Sequence, residues 1–108
     1  MTVGNWSNYY TYTSSNVDTY VESKAGNYRL ATLGNDNKYH VFYVGQSENI
    51  NRRLKEHLSP SEPNQCIKNK LKNNTCYFRF IYASTQKERD DIESNDINTF
   101  DPPCNKQS

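Results

Sequence analysis

A chain of 108 residues with 33% hydrophobic content has material for one modest core and not for two. Its formal net charge of +1 excludes a general polycation, and the absence of any apolar run beyond about six residues excludes a transmembrane helix. The polar N-terminus carries no signal-peptide pattern, so the expectation is a soluble, cytoplasmic protein with no membrane partner. Three cysteines, Cys66, Cys76 and Cys104, are odd in number and lack C-x-x-C spacing, which argues against a disulfide framework and against a zinc site.

Residues 1–24 are the least regular part. Tyr9–Thr13 has strand composition and Val17–Glu22 suits a short helix or turn, so this segment reads as an extension packed on a core domain of residues 25–108. Asn27–Leu33 and Tyr39–Val44 alternate and are rich in Tyr, Val, Leu and Phe. Gly34-Asn35-Asp36-Asn37 between them predicts a hairpin turn. If Leu33 faces Lys38, then Leu30 faces Val41 and Tyr28 faces Tyr43, with the two tyrosines about 5 Å apart at Cβ.

Asn49–Leu58 follows as a helix whose Ile50, Leu54 and Leu58 form the buried stripe, with Arg53 and His57 together on its edge, aimed at the sheet boundary. Ser59-Pro60 and Pro63 mark a break. Gln65–Leu71 is a second, basic helix, and Thr75–Tyr82 a third strand. Thr85 and Glu88 form a capping box for a last helix through Phe100, on which Glu93, Ile97 and Phe100 share one face until Pro102-Pro103 ends it. The order β-β-α-α-β-α gives an α+β domain, a small three-stranded antiparallel sheet flanked by helices.

Charge is unevenly distributed along this order. Residues 51–80 hold seven Lys/Arg against two Glu, whereas 81–104 hold two Lys/Arg against six Asp/Glu. A basic patch suits phosphate and an acidic helix suits a metal ion, although two solvated faces of opposite sign account for the same pattern. Each candidate residue alone is weak: tyrosines favour strands, and Arg and Glu favour solvent. Together, a half-buried Glu93, an Arg53–His57 pair and two tyrosines aimed at one edge suit metal-assisted hydrolysis of a phosphodiester better than acyl transfer.

Gly26-Asn27-Tyr28, Tyr43-Val44-Gly45, Arg53, His57, Glu93 and Pro102-x-x-Asn105 stand in the order and at the spacing of the GIY-YIG nuclease superfamily, which residues 24–106 resemble. The resemblance implies a divalent-metal-dependent endonuclease acting on DNA, or RNA, with Tyr28, Tyr43, Arg53, His57 and Glu93 as the catalytic set. Glu93 would hold one Mg²⁺ or Mn²⁺, and Arg53 would grip the scissile phosphate. One of Tyr28 and Tyr43 would orient or deprotonate water, Tyr28 being the favoured base, with His57 sharing its proton. Gly45, through a tight turn, and Asn105, as a brace, would support the site. Arg52, Lys55, Lys68, Lys70 and Lys72 would meet nucleic acid.

Three departures accompany the match: Asn27 at a core position, fifteen residues from Tyr28 to Tyr43, and Gln46 where repair members often carry lysine. With no room for a separate recognition domain, the expectation is structure-directed cleavage, a homo-oligomer or a specificity-conferring partner. The competing expectation is a catalytically quiet nucleic-acid-binding or interaction module on the same fold.

Overall fold

The computed structural model describes residues 4–106. Their elements run β1 (Tyr10–Thr11), α1 (Ser14–Tyr20), β2 (Gly26–Leu33), β3 (Tyr39–Ser47), α2 (Ile50–His57), α3 (Gln65–Asn73), β4 (Cys76–Tyr82) and α4 (Gln86–Phe100), closed by a 3₁₀ turn, Pro103–Lys106. The strands form one antiparallel sheet in the order β1-β4-β2-β3. The sheet thus has four strands and not the expected three. Tyr10 and Thr11 pair with Phe78 and Tyr77 and cover the edge that β4 would otherwise expose. Tyr9–Thr13 showed strand composition, but a two-residue strand is too short for alternation to assign it to the sheet.

One sheet face carries the apolar core. Tyr28, Leu30, Phe42, Phe78 and Phe80 pack with Val17 and Val21 from the α1 region, Ile50 and Leu54 of α2, and Ile67 of α3. Burying each such side chain contributes about 1.5–3 kcal/mol. Tyr12 joins the cluster because its hydroxyl donates to the Leu54 carbonyl, which satisfies the one polar atom it brings inside. Each long helix starts where the sequence supplies a cap: Asn49 accepts from Arg52 N–H, Asn64 from Ile67 N–H, and Thr85 with Glu88 closes the full capping box.

The other face sets buried Ala31, Val44 and Ile81 beside polar groups, and it does not receive the expected Glu93/Ile97/Phe100 stripe: Ile97 is 40% exposed. What α4 buries instead is Arg89 and Asp96. Opposite it, β2 presents Asn27 and Arg29. The Asn27 side-chain amide donates to the Arg89 carbonyl, and Arg29 makes a two-pronged ion pair with Asp96 at 2.9 Å while lying between the Trp6 and Phe100 rings. A helix packed on such a surface needs matching polar groups, so no apolar period is present to be read. This also places Asn27, the polar residue at a core position.

The hairpin register differs from the expected one. Tyr28 faces Gly45, Leu30 faces Tyr43, and Ala31 faces Val41, with the register shifting between Leu30 and Ala31. Gly34 and Lys38 close the turn, Asn37 takes φ 62°, and the extra residue accommodated by the shift is Phe42. The two tyrosines therefore share a face but belong to pairs two steps apart along the ladder, with Arg29–Val44 between them.

A second correction concerns the cysteines. Cys66, in the first turn of α3, is bonded to Cys104 of the closing 3₁₀ turn, while Cys76 is free and buried. Spacing along the chain is silent about a pair 38 residues apart whose Cα atoms the fold brings to 5.2 Å. No helix among the described residues is long and apolar enough to cross a membrane.

Candidate active site

The open end of the hairpin, where the start of β2 pairs with the end of β3, receives the N-terminal half of the site. Tyr28 is 1% exposed, and its ring lies flat over Gly45. A Cβ at position 45 would stand 2.5 Å from both Cζ and the hydroxyl oxygen of Tyr28. Gly45 is thus required by close approach and not by the tight turn expected of it, since its φ is negative or extended.

From there the Tyr28 hydroxyl reaches Nε2 of His57 at 2.7 Å. His57 points at the sheet, as its place beside the α2 stripe predicts, but lies deeper than a helix edge: it is 1% exposed, at the last residue of α2. Its Nδ1 bonds Oε1 of Glu62, itself 4% exposed, whose Oε2 accepts from the Asn64 N–H at 3.1 Å. Glu62 was not among the expected site residues. It lies between Pro60 and Pro63, in what reads as a surface break. The available signal was one of only two acids in the basic stretch 51–80, five residues after His57.

Burial holds the Tyr28 phenol well above its ordinary pKa, with Tyr43 adding to the rise and Arg53 opposing it. Burial likewise lowers the His57 pKa; the Glu62 hydrogen bond resists this and Arg53 reinforces it. A neutral imidazole beside an ionised carboxylate carries its proton on Nδ1, so Nε2 accepts and Tyr28 donates.

Tyr43 is half-buried, its ring 6.3 Å from Tyr28 and 5.3 Å from His57, centroid to centroid. Burial raises its pKa, Arg53 lowers it, Glu93 and Glu62 raise it, and hydrogen bonding with Tyr28 eases ionisation. Arg53, one turn before His57, is partly exposed and donates to Glu56 at 3.1 Å. Its charge bears on both tyrosines. Tyr28, Tyr43, Arg53 and His57 thus converge.

Glu93 comes from the opposite sheet face, on α4. It acts on Tyr43 through charge, and its Oε1 accepts from the Gln46 amide at 3.1 Å. Gln46 also donates to Asp90, so the residue in the lysine position holds the acidic side together. Asn105 clamps the free edge of β3, its side chain accepting from Val44 N–H and donating to Val44 C=O, both at 2.8 Å. Three of the basic residues are tethered within the chain: Arg52 to Glu56, Lys55 to Asp18, and Lys68 to the Pro60 carbonyl. Lys70 and Lys72 occupy the last turn of α3.

A single carboxylate suits a magnesium ion that keeps most of its waters, and the second oxygen of Glu93 takes no hydrogen bond among the described residues. Those residues include no group of three His, Cys, Asp or Glu side chains able to enclose a metal. A hydrated hard cation fits this donor set; a fully caged one does not.

Residues 24–106 match the family model of the UvrC-like GIY-YIG domain. No curated protein matches the chain. The solved GIY-YIG N-terminal endonuclease domain of UvrC from Thermotoga maritima, bound to its catalytic magnesium, superposes with a TM-score of 0.66 at 16% identity, covering 84% of this chain and 93% of that one. A point mutant of the same domain with one asparagine replaced by alanine, also bound to its catalytic divalent cation, gives 0.63 at 16% identity over 84% and 92%. At such identities the likeness is one of fold.

Proposed function

The chain belongs to the UvrC-like GIY-YIG domain family, and on that footing we propose that it is a divalent-metal-dependent endonuclease hydrolysing phosphodiester bonds in DNA. The observation that carries the reading is the convergence of two tyrosines, a neutral histidine and an arginine at one sheet edge, with the charge of Glu93 on α4 bearing on Tyr43. These are the donors and acceptors that in-line attack of water on a phosphodiester requires.

Glu93 would hold a Mg²⁺ or Mn²⁺ ion, which when bound supplies neutralisation of charge on the phosphate oxygens. Arg53 grips the phosphate through its planar guanidinium, exchanging Glu56 for the substrate. Tyr43, the more accessible tyrosine, meets the attacking water. Its hydroxyl proton passes to Tyr28 as the water proton arrives, and the Tyr28 proton moves to Nε2 of His57. Because burial disfavours a free Tyr28 phenolate, these shifts occur together. His57 is then the terminal proton acceptor, and Tyr28, the base that the resemblance favours, acts as the relay between Tyr43 and His57. Gln46 holds Glu93 from the side, and Asn105 fixes the strand that carries Tyr43. Specificity comes from DNA structure or from a partner.

The test is cleavage of supercoiled plasmid and of branched and flapped oligonucleotides with Mg²⁺, Mn²⁺ or EDTA. Wild type is compared with Glu93→Ala and Arg53→Ala, each checked for folding by circular dichroism. Metal-dependent nicking lost in both folded variants is expected. Full activity in Glu93→Ala, or none in folded wild type on any substrate, overturns the proposal.

A further inference from the structure

We propose that Glu62 is a positioning residue of this site: it fixes His57 as the Nδ1-protonated tautomer, so that Nε2 stays open to the Tyr28 hydroxyl. The proposal deepens the nuclease reading and rests on it for its catalytic consequence, but its structural content stands alone. The argument starts from what surrounds the carboxylate. Oε2 of Glu62 accepts from the backbone N–H of Asn64, and Oε1 lies against Nδ1 of His57, to which a carboxylate oxygen offers only lone pairs. A group that must accept on both sides can only be a carboxylate.

An amide in its place has two arrangements. Its oxygen toward His57 sets its NH₂ against the Asn64 N–H. Its oxygen toward Asn64 turns the NH₂ to Nδ1, which then must accept, and moves the imidazole proton to Nε2. In that second state Nε2 faces Tyr28 as a donor, and the direction of the chain Tyr28→His57 is reversed.

The fold holds Glu62 to this task. Pro60 and Pro63 restrict the backbone on either side. The adjoining Asn64 is pinned twice, its side-chain oxygen capping α3 at Ile67 and its amide donating to the Cys104 carbonyl at 3.1 Å. His57 is faced by Tyr28 and Tyr43 from the sheet, by Glu62 from the loop, and by the charges of Arg53 and Glu56 from its own helix. Of these, only Glu62 bonds Nδ1. The logic is that of a carboxylate orienting a histidine base, here with a tyrosine in place of the nucleophile.

The decisive measurement is ¹⁵N NMR of the imidazole nitrogens at neutral pH, for wild type, Glu62→Gln and Glu62→Asp. Wild type should show a protonated Nδ1 and an unprotonated Nε2. Glu62→Gln should shift population toward protonated Nε2, and Glu62→Asp should retain the wild-type tautomer if it reaches. Cleavage should fall on the order of 100-fold in kcat for Glu62→Gln, with KM nearly unchanged. The acid limb of its pH profile should move to lower pH, because the lost negative charge was raising the His57 pKa.

A wild-type protein with protonated Nε2 overturns the proposal without any variant having to fold. So does Glu62→Gln with an unchanged tautomer, or with unchanged kcat and pH profile. If wild type cleaves nothing, the nuclease reading fails, while the wild-type tautomer still decides whether Glu62 positions His57.

Discussion

Replacing Gly45 by alanine adds one methyl group in β3 and tests the packing that unites the strand with the relay. That methyl would lie 2.5 Å from Cζ and from the hydroxyl oxygen of Tyr28, and 3.0 Å from Cε1. The tip of a tyrosine ring is ordinarily free to swing away. Here the ring is 1% exposed, and its hydroxyl is held by His57. Forcing a methyl into a packed core costs about 1–3 kcal/mol, and weakening a buried hydrogen bond adds about 1–2 kcal/mol. The total of about 2–5 kcal/mol falls within the ~5–15 kcal/mol stability of a domain, so the variant should fold but be weakened.

Urea denaturation measures the loss directly, with a midpoint lowered by about 1–2 M at an unchanged slope. Tyr28→Phe removes the hydroxyl, one of the two atoms nearest the new methyl. The double variant should therefore be less destabilised than the two single changes combined, by about 1 kcal/mol. Gly45→Ala within about 0.5 kcal/mol of wild type, and strictly additive with Tyr28→Phe, would refute the claim that the glycine exists to admit the ring.

Two further outcomes are expected. Cys66→Ser/Cys104→Ser, or reduction by dithiothreitol, opens a loop spanning 38 residues and should lower stability by about 3–4 kcal/mol, read as a lower thermal midpoint for the reduced protein. The depressed His57 pKa makes stability pH-dependent. Below about pH 6.5 the unfolded chain binds a proton on this side chain that the folded chain refuses. Stability contributed by neutral His57 is therefore complete above that pH and falls as pH is lowered toward the folded pKa, by at most about 1.4 kcal/mol per unit. Urea titrations from pH 7.5 to 5 should show this slope, and His57→Gln should flatten it.

What the sequence made legible follows from where apolar periodicity operates. The elements from β2 onward, the α2 stripe at Ile50 and Leu54 and the Thr85/Glu88 box are all local patterns, and the structure reproduces them. The face of α4 was illegible because its buried contacts are Arg29–Asp96 and Asn27–Arg89, which no hydropathy period marks. Helical periodicity placed His57 at the edge of the stripe and aimed it at the sheet, but did not show how deeply it is buried. Its burial depends on Glu62, which reaches it from beyond the helix end. The disulfide, and the strand that the bracing Asn105 holds, were hidden for a related reason: the partners lie 38 and 61 residues away.

The bulge at Phe42 explains how one edge strand can serve both halves of the site. At the hairpin tip Tyr39 pairs with Leu33 and Val41 with Ala31, on the face away from the apolar core. Strict alternation from there would send Phe42 inward and Tyr43 outward, toward α4. Accommodating Phe42 without a partner lets it and Tyr43 both turn to the core side, where Tyr43 faces Leu30 and meets Tyr28 and His57. Alternation then resumes, and Gly45 falls beneath Tyr28 while Gln46 points back to Glu93. A single inserted residue thus aligns the tyrosine with its proton relay and leaves the next polar position aimed at the carboxylate. Paired without that register shift, the same residues in the same order would face Tyr43 away from His57.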